Sequence, residues 1–210
     1  MAGGGSRFAK AGYKDPKPLI PVFGEPMIQV VIENIAVPGA HFIFVVQKDH
    51  YNAYNRGARL QKMAPGCDII QIDEITEVAA CTILKAKKLI DSDVPLMTAN
   101  SDQFLEWDAE EFVAAISRAG GGADGAVSTF IKDEPDVKWS YAKPDADGYI
   151  TGIQEKKPIS NITTTTTAIR RARSQLYLGH DGPELTITQG DLEQRAGHLW
   201  CHAKNMHALG

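Results

Sequence analysis

The sequence predicts an α/β domain, and three observations support that class. Short apolar runs rich in β-branched and aromatic residues recur along the chain, as from His41 to Gln47. Such runs are typical of strands buried on both faces of a parallel sheet. Segments made of good helix formers separate the runs. Strand and helix therefore alternate, which is the pattern of a layered α/β domain.

The elements are expected in a regular order. After the turn Gly24-Glu25-Pro26, apolar residues at a partly helical spacing predict a first helix over 27–35. The remaining pattern predicts strands at 41–47, 68–72, 94–98 and 125–131, helices at 51–63, 79–90 and 110–118, and a hairpin at 140–154.

The composition is that of an ordinary globular protein, because 43% of the 210 residues are hydrophobic and 23% are charged. A net charge of −4 supplies no global positive field, so we expect no nucleic-acid partner. The three cysteines, Cys67, Cys81 and Cys201, form no Cys-x-x-Cys pair and indicate a reducing cytoplasm. No apolar run approaches the ~20 residues of a membrane span, and no secretion signal is expected.

The sequence changes character after Asn161. Five consecutive threonines, Thr163 to Thr167, are followed by arginines and by polar sequence without sustained periodicity. We therefore predict a domain over residues 1–161 and an atypical tail over 162–210 that is either disordered or the product of a frameshift. His198 and His202 are four positions apart, but no zinc motif surrounds them, and we assign no metal there.

Two N-terminal features point to phosphate chemistry. Three glycines at positions 3–5 allow close backbone approach to an anion, and Arg7 adds a charged fork. Alone, a glycine-rich N-terminus is more often a flexible leader. Lys17, however, lies between Pro16 and Pro18, which restrict the backbone on both sides and give its ammonium a defined direction.

Together these segments resemble the N-terminal pattern of the sugar-phosphate nucleotidyltransferases, the nucleoside-diphosphate-sugar pyrophosphorylase-like family. The matching motifs are Ala2-Gly3-x-Gly5-Ser6-Arg7-Phe8, Pro16-Lys17-Pro18-Leu19-Ile20-Pro21-Val22 and Gly24-x-Pro26-Met27. The resemblance continues through Asp102 and Glu155-Lys156-Lys157-Pro158, so it covers residues 1–161. It implies a Rossmann-like α/β domain with a mostly parallel central sheet.

The resemblance also implies residue roles. The implied catalytic residues are Arg7 and Lys17, and the implied metal ligand is Asp102, whose carboxylate suits Mg²⁺. The implied nucleotide-binding residues are Gly3, Gly5, Ser6, Glu77 and Ala79, and the implied acceptor-binding residues are Tyr141, Ala142, Glu155 and Lys156. Outside that context, Asp102 reads equally as a turn cap, and the Glu155–Lys156 pair as a solvated charge pair.

Three departures from the family pattern stand out. Val78 occupies a position where the family usually has glycine, in the loop that reads the nucleobase. The strand expected before the glycine loop, and the acceptor-site strands and second metal-binding aspartate expected after Pro158, are not matched. Residues 76–90 can also be explained without a base, as a helix with Thr76 at its N-cap.

On this basis the expected function is transfer of a nucleoside monophosphate from a nucleoside triphosphate to a sugar 1-phosphate, with release of pyrophosphate. The expected partners are therefore the triphosphate and a phosphorylated small-molecule acceptor, with Mg²⁺ as cofactor. Two alternatives remain open: a cytidylyltransferase acting on a non-sugar phosphate, and a non-catalytic nucleotide-binding fragment.

Overall fold

The structure is a computed structural model that describes residue 8 and residues 10–76, 79–118 and 125–170. The chain divides into two compact units. The first comprises residues 1–91 and 100–104, and the second comprises residues 92–99 and 105–210.

The first unit combines a short hairpin, a parallel strand pair and five helices among its described residues. A 3₁₀ turn at Lys17–Leu19 leads into the hairpin strands β1 (Pro21–Val22) and β2 (Glu25–Pro26), and the parallel pair is β3 (Ile43–Gln47) with β4 (Asp68–Ile72). The helices are α1 (Met27–Ile35), α2 (Lys48–Ala53), α3 (Arg56–Met63), α4 (Ala79–Leu84) and α5 (Lys87–Ile90).

The second unit is built on a five-stranded sheet. Its elements are β5 (Leu96–Thr98), α6 (Ala109–Arg118), β6 (Gly125–Ile131), β7 (Ser140–Pro144), β8 (Ile150–Glu155) and β9 (Ile162–Arg170). The long strand β9 pairs antiparallel with β5, β6 and β7, and β7 also pairs with β8.

The alternation of strands and helices confirms the predicted α/β class. Among the described ladders, the parallel arrangement is confined to β3 and β4, where Ile43 lies opposite Asp68 and Gln47 opposite Ile72. The other five are antiparallel. A short turn joins β7 to β8, and a connection of that length permits only antiparallel pairing.

The core of the first unit explains why its elements form where the sequence predicts them. Side chains from the 3₁₀ turn, from α1, β3 and α3, and from the loop after α3 form one buried cluster that includes Leu19, Ile28, Val46 and Leu60. Leu19 is therefore anchored in the core, and it lies only two positions after Lys17.

The helix predicted over 51–63 is interrupted. It forms as α2 and α3, separated at Asn55, which has a left-handed backbone with φ of 47°. Asparagine tolerates this conformation better than most residues. Gly57 then packs against the Tyr51 hydroxyl so closely that a Cβ could not fit.

The sheet extends nine residues past the predicted domain end at residue 161. Ile162–Arg170, assigned from sequence to the atypical tail, forms β9. Its threonines suit a strand because they are β-branched, and several are buried, including Thr163 and Thr167. The rest of the predicted tail, 171–210, including His198 and His202, lies outside the described residues.

Among the described helices, none is both long enough and apolar enough to cross a membrane.

Candidate functional site

The centre of the candidate site is an ion pair between Lys17 and Asp102. The Lys17 ammonium bonds Asp102 Oδ2, and the two residues are 85 positions apart in the sequence. Both belong to the first unit. Their side chains are partly accessible, at 33% for Lys17 and 29% for Asp102. The fold therefore brings together the predicted phosphate-binding lysine and the predicted metal-binding aspartate where a ligand can reach them.

The backbone at Lys17 is restricted by the flanking prolines and by buried neighbours. Pro16 precedes the 3₁₀ turn with an extended backbone at φ −63° and ψ 147°. Ile20 N donates a hydrogen bond of 3.2 Å to Lys17 O, and Pro18 and Leu19 are buried. A lysine held in this way has a fixed Cα but a freely rotating side chain, so its direction depends on what the ammonium contacts.

An aromatic ring provides a second contact for that ammonium. Lys17 Nζ lies 5.3 Å from the centre of the Phe8 ring, and Phe8 in turn meets the Tyr13 ring in an edge-on arrangement with centroids 5.7 Å apart. The sequence predicts no role for Phe8 beyond its place in the motif. The spacing of Phe8 and Lys17 in the sequence does not predict that they meet. The contact depends on where the 3₁₀ turn places Lys17.

The other predicted phosphate-binding residues, Gly3, Gly5, Ser6 and Arg7, lie outside the described residues, as does Glu77 in the predicted base-reading loop. Ala79 is exposed and begins α4. The Thr76 hydroxyl, proposed as a helix N-cap, bonds the Thr82 hydroxyl. The start of α4 is thus tied to the loop that precedes it.

The predicted acceptor residues lie in the second unit, where two of them are strongly buried. Tyr141 and Ala142 of β7 are both 0% exposed. The Tyr141 hydroxyl accepts a hydrogen bond from Asp136 N at 2.7 Å and donates one to Asp136 O at 3.1 Å. The Tyr141 side chain thus ties β7 to the loop that precedes it, and an acceptor role for Tyr141 stays a prediction.

Glu155 and Lys156 lie at the end of β8 and are accessible. Lys156 Nζ is 2.8 Å from Glu155 Oε1, and Lys156 has a positive φ of 57°. Its backbone N–H donates to Trp139 O at 2.9 Å. A lysine seldom adopts this backbone conformation, and such residues cluster at functional sites. The turn therefore directs the Lys156 side chain out of the regular alternation of the strand.

A further ion pair lies at the carboxyl ends of the parallel strands. Lys48 and Asp73 follow β3 and β4 directly, with Nζ and Oδ1 3.0 Å apart. The hydrogen bond that Lys48 Nζ donates to the Asp73 carboxylate raises the pKa of Lys48. Sequence reasoning missed this pair because it depends on strand register. It lies at the edge where open α/β sheets bind ligands.

The parts of the chain that the structure describes contain no group of three or more His, Cys, Asp or Glu side chains suited to a metal ion. A metal ion bound at Asp102 would therefore need further ligands that the described side chains do not supply. That is the usual situation of Mg²⁺, which is held by one or two carboxylates together with substrate phosphates.

The model of the nucleotidyl transferase family matches residues 1–168. The chain belongs to the nucleotidyl transferase family. This match includes the Lys17–Asp102 pair and most of β9. It confirms the resemblance inferred from the sequence.

Solved structures of nucleotidyl transferases show the same fold. A nucleoside-diphosphate-sugar pyrophosphorylase from Vibrio cholerae RC9 is 23% identical, with a TM-score of 0.65 over 82% of this chain and 72% of that one. An apo UDP-glucose pyrophosphorylase is 15% identical, with a TM-score of 0.67 over 94% and 85%. The inositol-1-phosphate CTP transferase from T. maritima is 12% identical, with a TM-score of 0.67 over 95% and 80%. No curated protein matches the chain.

Proposed function

We propose that this nucleotidyl transferase moves a nucleoside monophosphate from a nucleoside triphosphate to a sugar 1-phosphate and releases pyrophosphate, as a step in nucleotide-sugar and polysaccharide biosynthesis. The observation that carries the proposal is the Lys17–Asp102 pair. The pair supports it because a cation that suits a phosphate lies beside a carboxylate that suits a hard metal ion, on a turn flanked by prolines.

In the proposed reaction, an oxygen of the acceptor phosphate attacks the α-phosphorus in line. A new P–O bond forms as the bond from the α-phosphorus to the pyrophosphate oxygen breaks. Little covalent chemistry is asked of the protein, so catalysis consists of positioning and charge stabilisation.

Lys17 is assigned to the α-phosphate. An ammonium has three donors, and one contact with Asp102 leaves donors for phosphate oxygens. Its fixed turn lowers the cost of orienting it, which is how preorganised charges favour a transition state. Gly3, Gly5 and Arg7 are assigned to the β- and γ-phosphates, with Ser6, Glu77 and Ala79 in the nucleotide pocket.

Lys156 is assigned to the acceptor phosphate and Glu155 to acceptor hydroxyls, beside Tyr141 and Ala142. The accessible ion pair and the strained backbone of Lys156 support this assignment.

Asp102 fits Mg²⁺, because a single accessible carboxylate is the contribution that a protein usually makes to a metal bound with phosphates. Bound there, Mg²⁺ would neutralise charge on the phosphate oxygens. Asp102 would then contact both the ion and Lys17, and so hold the ammonium beside the phosphates.

We further propose that the reaction occurs in the cytoplasm. Cys67 and Cys81 are free thiols, and free thiols are typical of reducing compartments.

The second candidate is a cytidylyltransferase acting on a non-sugar phosphate. The likeness to the inositol-1-phosphate CTP transferase over 95% of the chain favours including it. A third candidate, from a different class, is a nucleotide-binding protein without turnover.

One experiment separates the three. Pyrophosphate release is measured for each triphosphate with glucose 1-phosphate, other sugar 1-phosphates and inositol 1-phosphate, with Mg²⁺ present. Turnover with a sugar 1-phosphate supports the first candidate, and turnover confined to CTP and inositol 1-phosphate supports the second. Nucleotide binding without pyrophosphate release supports the third.

The metal assignment is tested in the same assay with Asp102→Ala. We expect at least about a 100-fold loss of turnover, the size typical of removing one key charge-stabilising group. Asp91→Ala is the matched control, because Asp91 is an exposed aspartate of the same unit. Turnover that survives Asp102→Ala would overturn the assignment.

A further inference from the structure

The contact between Phe8 and Lys17 has the geometry of a cation–π interaction. The ammonium lies 5.3 Å from the ring centre, within the ~6 Å at which an aromatic face attracts a cation. Lys17 is thus restrained from two directions, by the Asp102 carboxylate and by the Phe8 ring.

The two partners act differently on the ammonium. A carboxylate attracts the cation and offsets its charge, whereas an aromatic face is neutral and leaves the full positive charge in place. The ring can therefore hold the ammonium in position while the charge remains available to a phosphate.

Phe8 is itself held firmly. Its carbonyl accepts hydrogen bonds from Ala11 N at 3.1 Å and from Tyr13 N at 3.2 Å. The Tyr13 ring meets the Phe8 ring at an interplanar angle of 68°, an edge-to-face packing that aromatic pairs prefer. The Phe8 ring therefore packs against Tyr13 as well as Lys17, and its backbone carbonyl is bonded by the turn that follows.

We propose that Phe8 is a positioning residue for Lys17, holding the ammonium in the direction needed for the α-phosphate. This inference rests on the proposed function, because it takes Lys17 to be the phosphate-binding lysine. Phe8 touches no reacting atom. Its effect passes through Lys17, so it is expected to change turnover more than substrate affinity.

The test replaces Phe8 with phenylalanines carrying one, two and three ring fluorines. Each fluorine weakens the negative potential of the ring face but barely changes its shape. We expect kcat to fall stepwise with fluorination, reaching about threefold to tenfold, the range open to an accessible cation–π contact, while KM changes little. The kcat of Phe8→Leu should be as low as that of the trifluorinated variant, and the kcat of Phe8→Tyr should be close to wild type.

A second readout does not depend on turnover. The rate at which Lys17 is acetylated, measured by mass spectrometry against Lys14, should rise by a similar factor along the series. Phe23→Leu is the matched control, because the Phe23 side chain is fully exposed and should alter neither rate. Denaturant unfolding of each variant shows whether the fold is retained.

The outcomes separate this inference from the function on which it rests. Equal acetylation and equal kcat along the series would overturn the positioning role, even in an active enzyme. A wild-type protein without turnover would overturn the proposed function, while a graded acetylation response would still support the contact.

Discussion

Lys17 and Arg56 are two cations of the same unit that the fold treats in opposite ways. Lys17 is one-third exposed, with a carboxylate and an aromatic ring as partners. Arg56 is 1% exposed, and none of its three guanidinium nitrogens has a hydrogen-bond partner among the residues that the structure describes. Burial lowers the pKa of Arg56. The contrast teaches that a partnered, accessible cation can be reached by a ligand, whereas a buried cation without described partners mainly costs stability.

The largest expected effect is on the partnered cation. Lys17→Met should lower kcat about 100- to 1000-fold, the loss typical of removing a preorganised charge stabiliser, with a small change in stability because the pair is partly solvated. Steady-state kinetics and urea unfolding measure the two effects. Lys14→Met is the matched control, since Lys14 is exposed in the same segment. Loss of folding rather than of turnover in Lys17→Met would erase the distinction between the two cations.

The next effect should have the opposite sign. Arg56→Met should raise the free energy of unfolding by about 1–4 kcal/mol, because apolar replacement removes a buried charge without partners. Urea unfolding checks this. Arg59→Met, at an exposed position of the same helix, should stay within about 0.5 kcal/mol of wild type. Destabilisation by Arg56→Met would show that the guanidinium has a favourable role.

The same contrast recurs among neutral groups in β9. Thr165 and Ser128 hydrogen-bond through their hydroxyls inside the sheet, whereas the buried Thr163 hydroxyl has no partner in the described parts of the chain. Thr163→Val should therefore stabilise the protein by about 1 kcal/mol, and Thr165→Val should destabilise it by about the same amount. Paired thermal or urea unfolding curves measure both. Shifts in the same direction would indicate that volume, not hydrogen bonding, controls this strand.

The smallest effect concerns His50, whose pKa is lowered from its ordinary value of 6.5 by burial and by the charge of Arg56. The unfolded chain therefore binds the proton more readily than the folded one. The contribution of neutral His50 to the free energy of unfolding is present above about pH 6.5 and is lost as pH falls through the lowered pKa. Solvent screening keeps the effect below about 1 kcal/mol. His50→Gln should flatten that decline in unfolding experiments. In an NMR titration, Arg56→Met should move the His50 pKa back toward its ordinary value, and an unchanged titration would contradict the coupling.

Much of the fold follows from local sequence. The strands at 68–72 and 125–131 and the helix at 27–35 form at the predicted residues, because their apolar patterns agree with local propensity. The hairpin at 140–154 also forms, extended by one residue. Local rules did not place the break at Asn55, because the helical pattern runs on through this residue, whose backbone is left-handed.

The sequence suggests which residues form the candidate site, and their roles stay predictions; it does not give their geometry. Motifs pointed to Lys17 and Asp102 separately, and the structure joins them across 85 positions. The contacts of Phe8 with Lys17 and of Trp139 with Lys156 depend on the path of the chain through its turns. No local sequence pattern predicts that path. The threonine run forms a strand whose pairing partners in β5 and β6 lie far away in sequence, so no local pattern predicts that strand.

The pairing of β9 also constrains how this protein can be made. Since β9 contacts β5, β6 and β7, the sheet of the second unit cannot close during synthesis until residue 170 has left the ribosome. Until then β5, β6 and β7 each have an unpaired edge, and exposed strand edges promote aggregation. An expression clone that stopped at residue 161 would leave that edge unpaired permanently.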